Sequence, residues 1–254
     1  VHKFTKVSVG SVPIVVTDAD TASEWLISVA KGQDVDREDL SVRLTNAYCV
    51  ALADSNSKYR EVMRRTGLNF PDGTPLVAVL RLTRRGRGAG RVRGPSLFVK
   101  VLDEGRDSNV GHFFLGSSDK TLDLLVAQAK ERFPGLRISG RYAPPFAPID
   151  GNFIDGCVAA IEASSPDLVW VGLGTPKQDF ASTLLAERLN LPCVGVGAAF
   201  DFVAGTVREA PVWMQRTGIE WIFRFASEPR RLWKRYIFGN ARFLYAALKG
   251  AVKK

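Results

Sequence analysis

Leu168-Val169-Trp170-Val171-Gly172-Leu173-Gly174-Thr175-Pro176-Lys177-Gln178-Asp179 is the stretch that decides the fold. Four apolar residues of strand length run into a glycine turn, and a segment of helical period from Lys177 to Asn190 follows at once. This is a βα unit with its glycines at the carboxyl end of the strand. Free backbone N–H groups at the start of such a helix, together with its dipole, suit a diphosphate. The pattern recurs to either side. Further strands are expected at Val12 to Val16, Val42 to Thr45, Val110 to Leu115, Leu136 to Ser139 and Cys193 to Val196. Helices are expected at Thr21 to Lys31, Ala47 to Arg65, Pro75 to Thr83, Pro95 to Asp103, Lys120 to Phe133 and Phe153 to Ser164. Such alternation predicts an α/β chain around a parallel sheet, with the ligand crevice beyond the carboxyl ends of the strands, where Gly116, Gly172, Gly174 and Gly197 fall.

Composition narrows the class. With 254 residues, 46% of them hydrophobic and 24% charged, the chain can bury a core and is suited to one large α/β domain or a medium one with an appendage. Cys49, Cys157 and Cys193 are odd in number and show no CxxC spacing, which disfavours a disulfide framework or a structural zinc and fits a reducing cytosol. No uncharged apolar run reaches the roughly 18 residues a membrane span needs, and no secretory signal is expected. Charge is concentrated at one end: residues 216–254 hold ten basic and two acidic side chains, with eight of the 25 aromatics. A basic, aromatic-rich terminus suggests an anionic partner, phospholipid headgroups or nucleic acid.

The candidate chemistry is sparse. Two histidines are too few for a histidine-based metal cluster, and His112 falls in an expected buried strand. Asp18-Ala19-Asp20 and Asp34-Val35-Asp36 have the DxD spacing of metal-held diphosphates, but the first precedes a helix start and the second lies in a charged turn, so no metal site is expected. Gly172-Leu173-Gly174 and Gly195-Val196-Gly197 begin GxGxxG fingerprints without the third glycine, which weakens a nicotinamide reading. The stretch Arg81 to Arg93, with six arginines and three glycines, reads as a mobile basic loop that binds phosphate or is simply solvated. In Phe70-Pro71-Asp72-Gly73-Thr74-Pro75 a carboxylate stands between Pro and Gly ahead of a helix, where a general base can be aimed, although an ordinary Asp-Gly turn explains it as well. Gly197-Ala198-Ala199-Phe200-Asp201 offers an acid suited to ribose or sugar hydroxyls, or a helix cap.

Taken in order, Thr45-Asn46-Ala47, Pro71-Asp72-Gly73, Arg93-Gly94-Pro95-Ser96-Leu97-Phe98, Leu115-Gly116, Gly172 to Gln178, Gly197 to Phe202, Gly205, Ala210-Pro211, Gly218-Ile219-Glu220-Trp221-Ile222-Phe223-Arg224 and Glu228-Pro229-Arg230-Arg231 resemble the WecG/TagA/CpsF glycosyltransferases over about residues 10–236. The resemblance implies a Rossmann-like catalytic domain over residues 1–210 and a basic, aromatic-rich helical appendage over 211–254. It implies an inverting transfer of N-acetylmannosamine, its uronic acid or glucose from a UDP-sugar to a polyprenyl-diphosphate-linked saccharide in bacterial cell-surface polysaccharide synthesis. Asp72 is then the base. Asn46 and Gln178 are the neutral groups around the sugar and reaction centre, with a hydroxyl contact from Thr45. Gly116, Gly174 and Asp201 belong to the UDP pocket, and Arg208, Arg224 and Arg231 contact the diphosphate. For the tail arginines, lipid headgroups are an equal alternative. The sequence departs from the family pattern at Leu44, where Thr is common, at Asp179, where Glu is usual, and at Ser117-Ser118 and the Pro-rich Tyr142 to Pro148.

No cofactor, metal or nucleic acid is expected, and a homo-oligomer is allowed. A helical reading of Arg230 to Lys249 places Leu232, Trp233, Tyr236, Ile237, Leu244 and Leu248 on one side and Arg231, Lys234, Arg235, Arg242 and Lys249 largely on the other. That predicts peripheral attachment to the inner face of the cytoplasmic membrane. A non-catalytic basic nucleotide- or nucleic-acid-binding protein is the alternative.

Overall fold

The computed structural model describes residues 3–33, 35–227, 229, 239 and 242–247. Two strands, β1 (Lys6–Val9) and β2 (Val12–Val15), open the chain as an antiparallel hairpin outside the main sheet. The strand expected at Val12 to Val16 is therefore a hairpin arm and not a member of the parallel sheet. Its partner was hidden because Val7 and Val9 alternate with Lys6 and Ser8, whereas the buried parallel strands are nearly continuous apolar runs.

Helix α1 (Ala19–Ala30) follows, capped by Asp18, whose carboxylate accepts from Thr21 N at 2.9 Å. Asp20 pairs with Lys100 at 2.8 Å. Asp34 lies outside the described residues. The chain continues through β3 (Ser41–Thr45), α2 (Ala47–Ser55), α3 (Ser57–Arg65), β4 (Leu68–Pro71), α4 (Thr74–Arg81), α5 (Gly94–Glu104) and β5 (His112–Gly116). Then come α6 (Asp119–Arg132), β6 (Ile138–Tyr142), α7 (Gly151–Glu162), β7 (Leu168–Gly172), α8 (Lys177–Leu189), β8 (Cys193–Gly195), α9 (Ala199–Val203), α10 (Val212–Thr217) and α11 (Glu220–Ser227). Strands β3 to β8 make one sheet in the order β4-β3-β8-β7-β5-β6, every neighbouring pair parallel. The Rossmann-like α/β class expected from the sequence is the fold observed.

Two expectations change within this frame. The helix read from Ala47 to Arg65 is broken at Asn56, which is extended (φ −123°, ψ 111°) and caps α3 by accepting from Tyr59 N at 3.0 Å. An asparagine satisfies the free N–H groups of a new helix better than it continues an old one. Strand β4 was not anticipated because Asn69 interrupts its apolar pattern. Asn69 is buried for a tertiary reason: Oδ1 accepts from Arg43 Nε at 3.0 Å, and Nδ2 donates to Pro13 O and Met63 O, both at 2.8 Å. Arg43 is itself wholly buried in β3, and desolvation lowers its guanidinium to about 10. Its other donors go to Val62 O, Thr66 O and Thr183 Oγ1, so each of the three guanidinium nitrogens has a partner.

The core floors the crevice. Trp170 of β7 meets Phe98 of α5 edge-on at 5.0 Å, and Phe200 of α9 packs on Phe98 and Phe114 at 5.5 and 5.7 Å. Offset aromatic pairs of this kind add about 0.5–1.5 kcal/mol each beyond their burial. His112 sits beneath them, fully buried, its Nδ1 accepting from Trp170 Nε1 at 3.1 Å, and burial lowers its imidazole to about 4. The three cysteines are buried and unpaired with one another.

At the C-terminal end, Phe243 and Ala246 are buried against a second cluster that includes Val7, Val9, Val50 and Tyr59. Leu244, expected on the apolar side of the tail helix, is exposed, as are Arg242 and Tyr245. Residues 230–238 and 248–254, which carry Arg231 and most of the expected amphipathic stripe, lie outside the described residues. No described helix is long and apolar enough to cross a membrane.

Candidate active site

The carboxyl ends of β4, β3, β8 and β7 bring together four chain segments that the sequence singled out. Thr45 and Pro71 are partners in the β3–β4 ladder, and Asp72 N donates to Thr45 O at 2.7 Å. The ladder thus holds Asp72 just past the strand end. Asn46 starts α2 next to it: the Cβ that Gly73 lacks would lie 3.6 Å from Asn46 Cβ. Asn46 Oδ1 caps α2, accepting from Tyr48 N at 3.0 Å and Cys49 N at 3.3 Å, and is 3.5 Å from Cys49 Sγ. Thr45 itself is wholly buried, its hydroxyl reaching back toward Arg43 O at 3.5 Å, so its side chain forms wall and not crevice lining.

Gln178 is the second residue of α8. Its Oε1 accepts from Gly174 N at 3.0 Å and from Gly197 N at 2.9 Å, tying the turn after β7 to the turn after β8. Gly174 has open space where a side chain would stand. Gly116 does not: at φ +121° a Cβ there would meet Gly172 O at 2.7 Å, so only glycine lets β5 and β7 end side by side. Asp201 is half-buried in α9, and its carboxylate accepts from Thr206 Oγ1 at 3.3 Å while its carbonyl accepts from Thr206 N at 3.0 Å.

The residues that sequence reasoning missed stand over Asp72. Arg91 and Arg93 come from the end of the stretch expected to be a mobile or solvated basic loop; Arg81, Arg84, Arg85 and Arg87 are exposed, but this end is pinned. Gly90 N donates to Thr17 O and Val92 N to Pro71 O, both at 2.8 Å, while Ala89 and Val92 are fully buried. Glu220, the first residue of α11, bridges the two arginines: Oε1 is 2.6 Å from Arg91 Nη2 and Oε2 is 2.8 Å from Arg93 Nε. Arg93 also meets Glu209 at 2.6 Å, and Arg91 Nη1 donates to Gln215 O at 2.9 Å. Gly218 lets the same segment press on α4, since any Cβ there would collide with Thr74 Oγ1 at 2.2 Å. Arg224 lies with its guanidinium 5.5 Å from the Phe202 ring. Arg208 is exposed, with no ion-pair partner among the described residues. The sequence carried a signal for Glu220, one of two acids in a basic segment, but its pairing across more than 120 residues could not be read locally.

This charge distribution acts on Asp72. Burial pushes its carboxyl up to about 6; Arg91, Arg93 and Arg224 pull it down, and Glu220 pushes it further up. The nearest cation, Arg91 Nε, is 3.9 Å from Asp72 Oδ1, too long for a hydrogen bond, and that Nε is buried without a partner among the described residues. A carboxylate held at a strand end, ionised near neutral pH and ringed by fixed guanidinium groups is equipped to take a proton beside a site that attracts anions. Among the described residues no three His, Cys, Asp or Glu side chains cluster as metal ligands.

A family model described as glycosyl transferase WecG/TagA/CpsF matches residues 7–254. An N-acetylglucosaminyldiphosphoundecaprenol N-acetyl-beta-D-mannosaminyltransferase of Bacillus spizizenii strain W23 is 30% identical over 200 residues, covering 78% of this chain and 74% of its own. A protein of the same name from Bacillus subtilis strain 168 is 30% identical over 182 residues, covering 70% and 68%.

Proposed function

The chain belongs to the WecG/TagA/CpsF glycosyl transferase family, and from that premise we propose that it transfers an N-acetylmannosamine-type sugar from UDP to a polyprenyl-diphosphate-linked saccharide. The observation that carries the reading is Asp72, a buried-edge carboxylate pushed up to about 6 within a ring of arginines. The acceptor hydroxyl oxygen attacks the anomeric carbon from the face opposite UDP. Its proton passes to Asp72, and the bond to the β-phosphate oxygen breaks with the electron pair leaving on UDP. One displacement inverts the anomeric centre. The names of the two relatives support the acceptor class and the sugar.

In this account Asn46 orients sugar hydroxyls with its amide, and Gln178 acts by holding the Gly174 and Gly197 turns in register beneath the diphosphate. Asp201 and the open turn at Gly174 belong to the UDP pocket, and Thr45 contributes through its carbonyl's grip on Asp72. Arg208, Arg224 and Arg231 meet the developing charge on the leaving group, which is why we propose a metal-independent reaction. Residues 211–254 form the basic appendage that brings the enzyme to the cytoplasmic face of the membrane, where such a lipid acceptor resides. The exposed Trp213, Trp221 and Ile222 and the basic charge of the segment support that placement.

The test is transfer from UDP-N-acetylmannosamine to undecaprenyl-diphosphate-linked N-acetylglucosamine presented in anionic vesicles. The reading predicts a product of inverted anomeric configuration, turnover that survives EDTA, and rates that fall as salt loosens vesicle binding. Retention of configuration, or activity that EDTA abolishes and Mg²⁺ restores, contradicts the mechanism. No transfer from any UDP-sugar contradicts the function.

A further inference from the structure

The loop 143–150 after β6 stands at the carboxyl edge of the sheet, on the same side as the crevice. Three prolines, Pro144, Pro145 and Pro148, restrict its backbone, and Ala143, Ala147 and Ile149 anchor it on the core. Phe146, between those anchors, is completely exposed. A stray surface ring needs no explanation. What separates Phe146 from one is its bracing by the start of α8. Lys177, the first residue of α8, donates from Nζ to Ala147 O at 2.7 Å, lies 4.4 Å from the Phe153 ring centroid and 5.7 Å from that of Phe146. The ring is thus held out over water by a fixed loop, tied directly to the turn proposed to carry a diphosphate.

The order of strands supplies the second observation. From Asp72 at the end of β4 to this loop at the end of β6 there are five strand intervals, about 24 Å at 4.7–4.9 Å each. The intervening strands present, in order, Asn46 after β3, Gly197 after β8 and Gly174 after β7. That sequence of sites matches the sequence of groups in an acceptor and an extended nucleotide-sugar: hydroxyl, sugar, diphosphate, base. We propose that Phe146 is the platform on which the pyrimidine ring of the donor stacks, with Lys177 fixing the platform; this rests on the UDP-sugar reading above. Stacking on an aromatic ring tolerates any base face, so Phe146 supplies affinity for the nucleoside and not the choice of sugar.

Calorimetric titration of wild type, Phe146→Ala and Phe146→Trp with UDP and with inorganic pyrophosphate tests the proposal. Because the ring is exposed, neither variant threatens folding. Loss of one base stack should weaken UDP binding by about five- to a hundredfold in Phe146→Ala, leave pyrophosphate binding unchanged, and be reversed in Phe146→Trp. Wild-type UDP affinity in Phe146→Ala overturns the proposal, as does equal loss of UDP and pyrophosphate binding, or loss of vesicle binding alone. A wild-type protein that binds no UDP overturns the donor assignment itself.

Discussion

Asp72 shows how far a single residue could be read. Its setting between Pro71 and Gly73 marked a stiff turn, and the structure places it at a strand end, held by Thr45 O. Its elevated proton affinity was not legible, because the cause is burial beneath residues distant in the chain. The consequence for stability follows from the sign of the shift. A carboxyl raised from 3.8 to about 6 binds its proton more tightly folded than unfolded. Its stabilising contribution is complete below pH 3.8 and is lost as pH rises through 6, where the folded protein carries a charge it disfavours. Two units correspond to up to about 3 kcal/mol. Asp72→Asn should therefore raise the thermal midpoint at pH 8 and leave it near wild type at pH 4; equal shifts at both values would contradict the burial account. Gln178 was legible only in part: its amide was expected around the sugar and reaction centre, but that Oε1 ties two backbone N–H groups together was not to be read from the sequence.

Elements were legible where one principle dominated. The alternation of apolar runs with helical periods identified five of the six parallel strands and the helices between them, since burial of both sheet faces demands such runs. It failed at β4, where Asn69 answers buried Arg43, and at Asn56, where capping outweighs continuity. The end of the stretch from Arg81 to Arg93 failed for the same reason at larger scale: Arg91 and Arg93 look solvated until α11 is brought over them, whereas Arg81, Arg84, Arg85 and Arg87 are indeed exposed. That docking makes Glu220 a positioning residue for Arg91 and Arg93. In Glu220→Gln the like charge beside Asp72 is gone, so the acid limb of kcat/KM should move below pH 6. The protein should also lose stability, by as much as about 3 kcal/mol, because Arg91 loses its close counter-charge and Arg93 keeps only Glu209. An unmoved acid limb would show that Glu220 does not act on Asp72.

At the scale of the molecule, the crevice is assembled from both ends of the chain. Strand ends supply Asp72 and the glycine turns, while residues 209–224 supply Glu209, Glu220 and Arg224 over it. The net charge of +9 and its concentration from residue 216 onward were plain in the sequence; that the beginning of this segment packs on the crevice was not, because only tertiary contacts such as Gly218 against Thr74 reveal it. In the proposed reaction this composite site uses Asp72 as the base for attack by the acceptor. Turnover of Asp72→Asn with saturating UDP-sugar and lipid-linked acceptor, measured alongside its UDP affinity, tests it most directly. The account predicts a rate lowered by about 10² to 10⁴ with UDP affinity within a few fold of wild type. Wild-type turnover in the variant would contradict it.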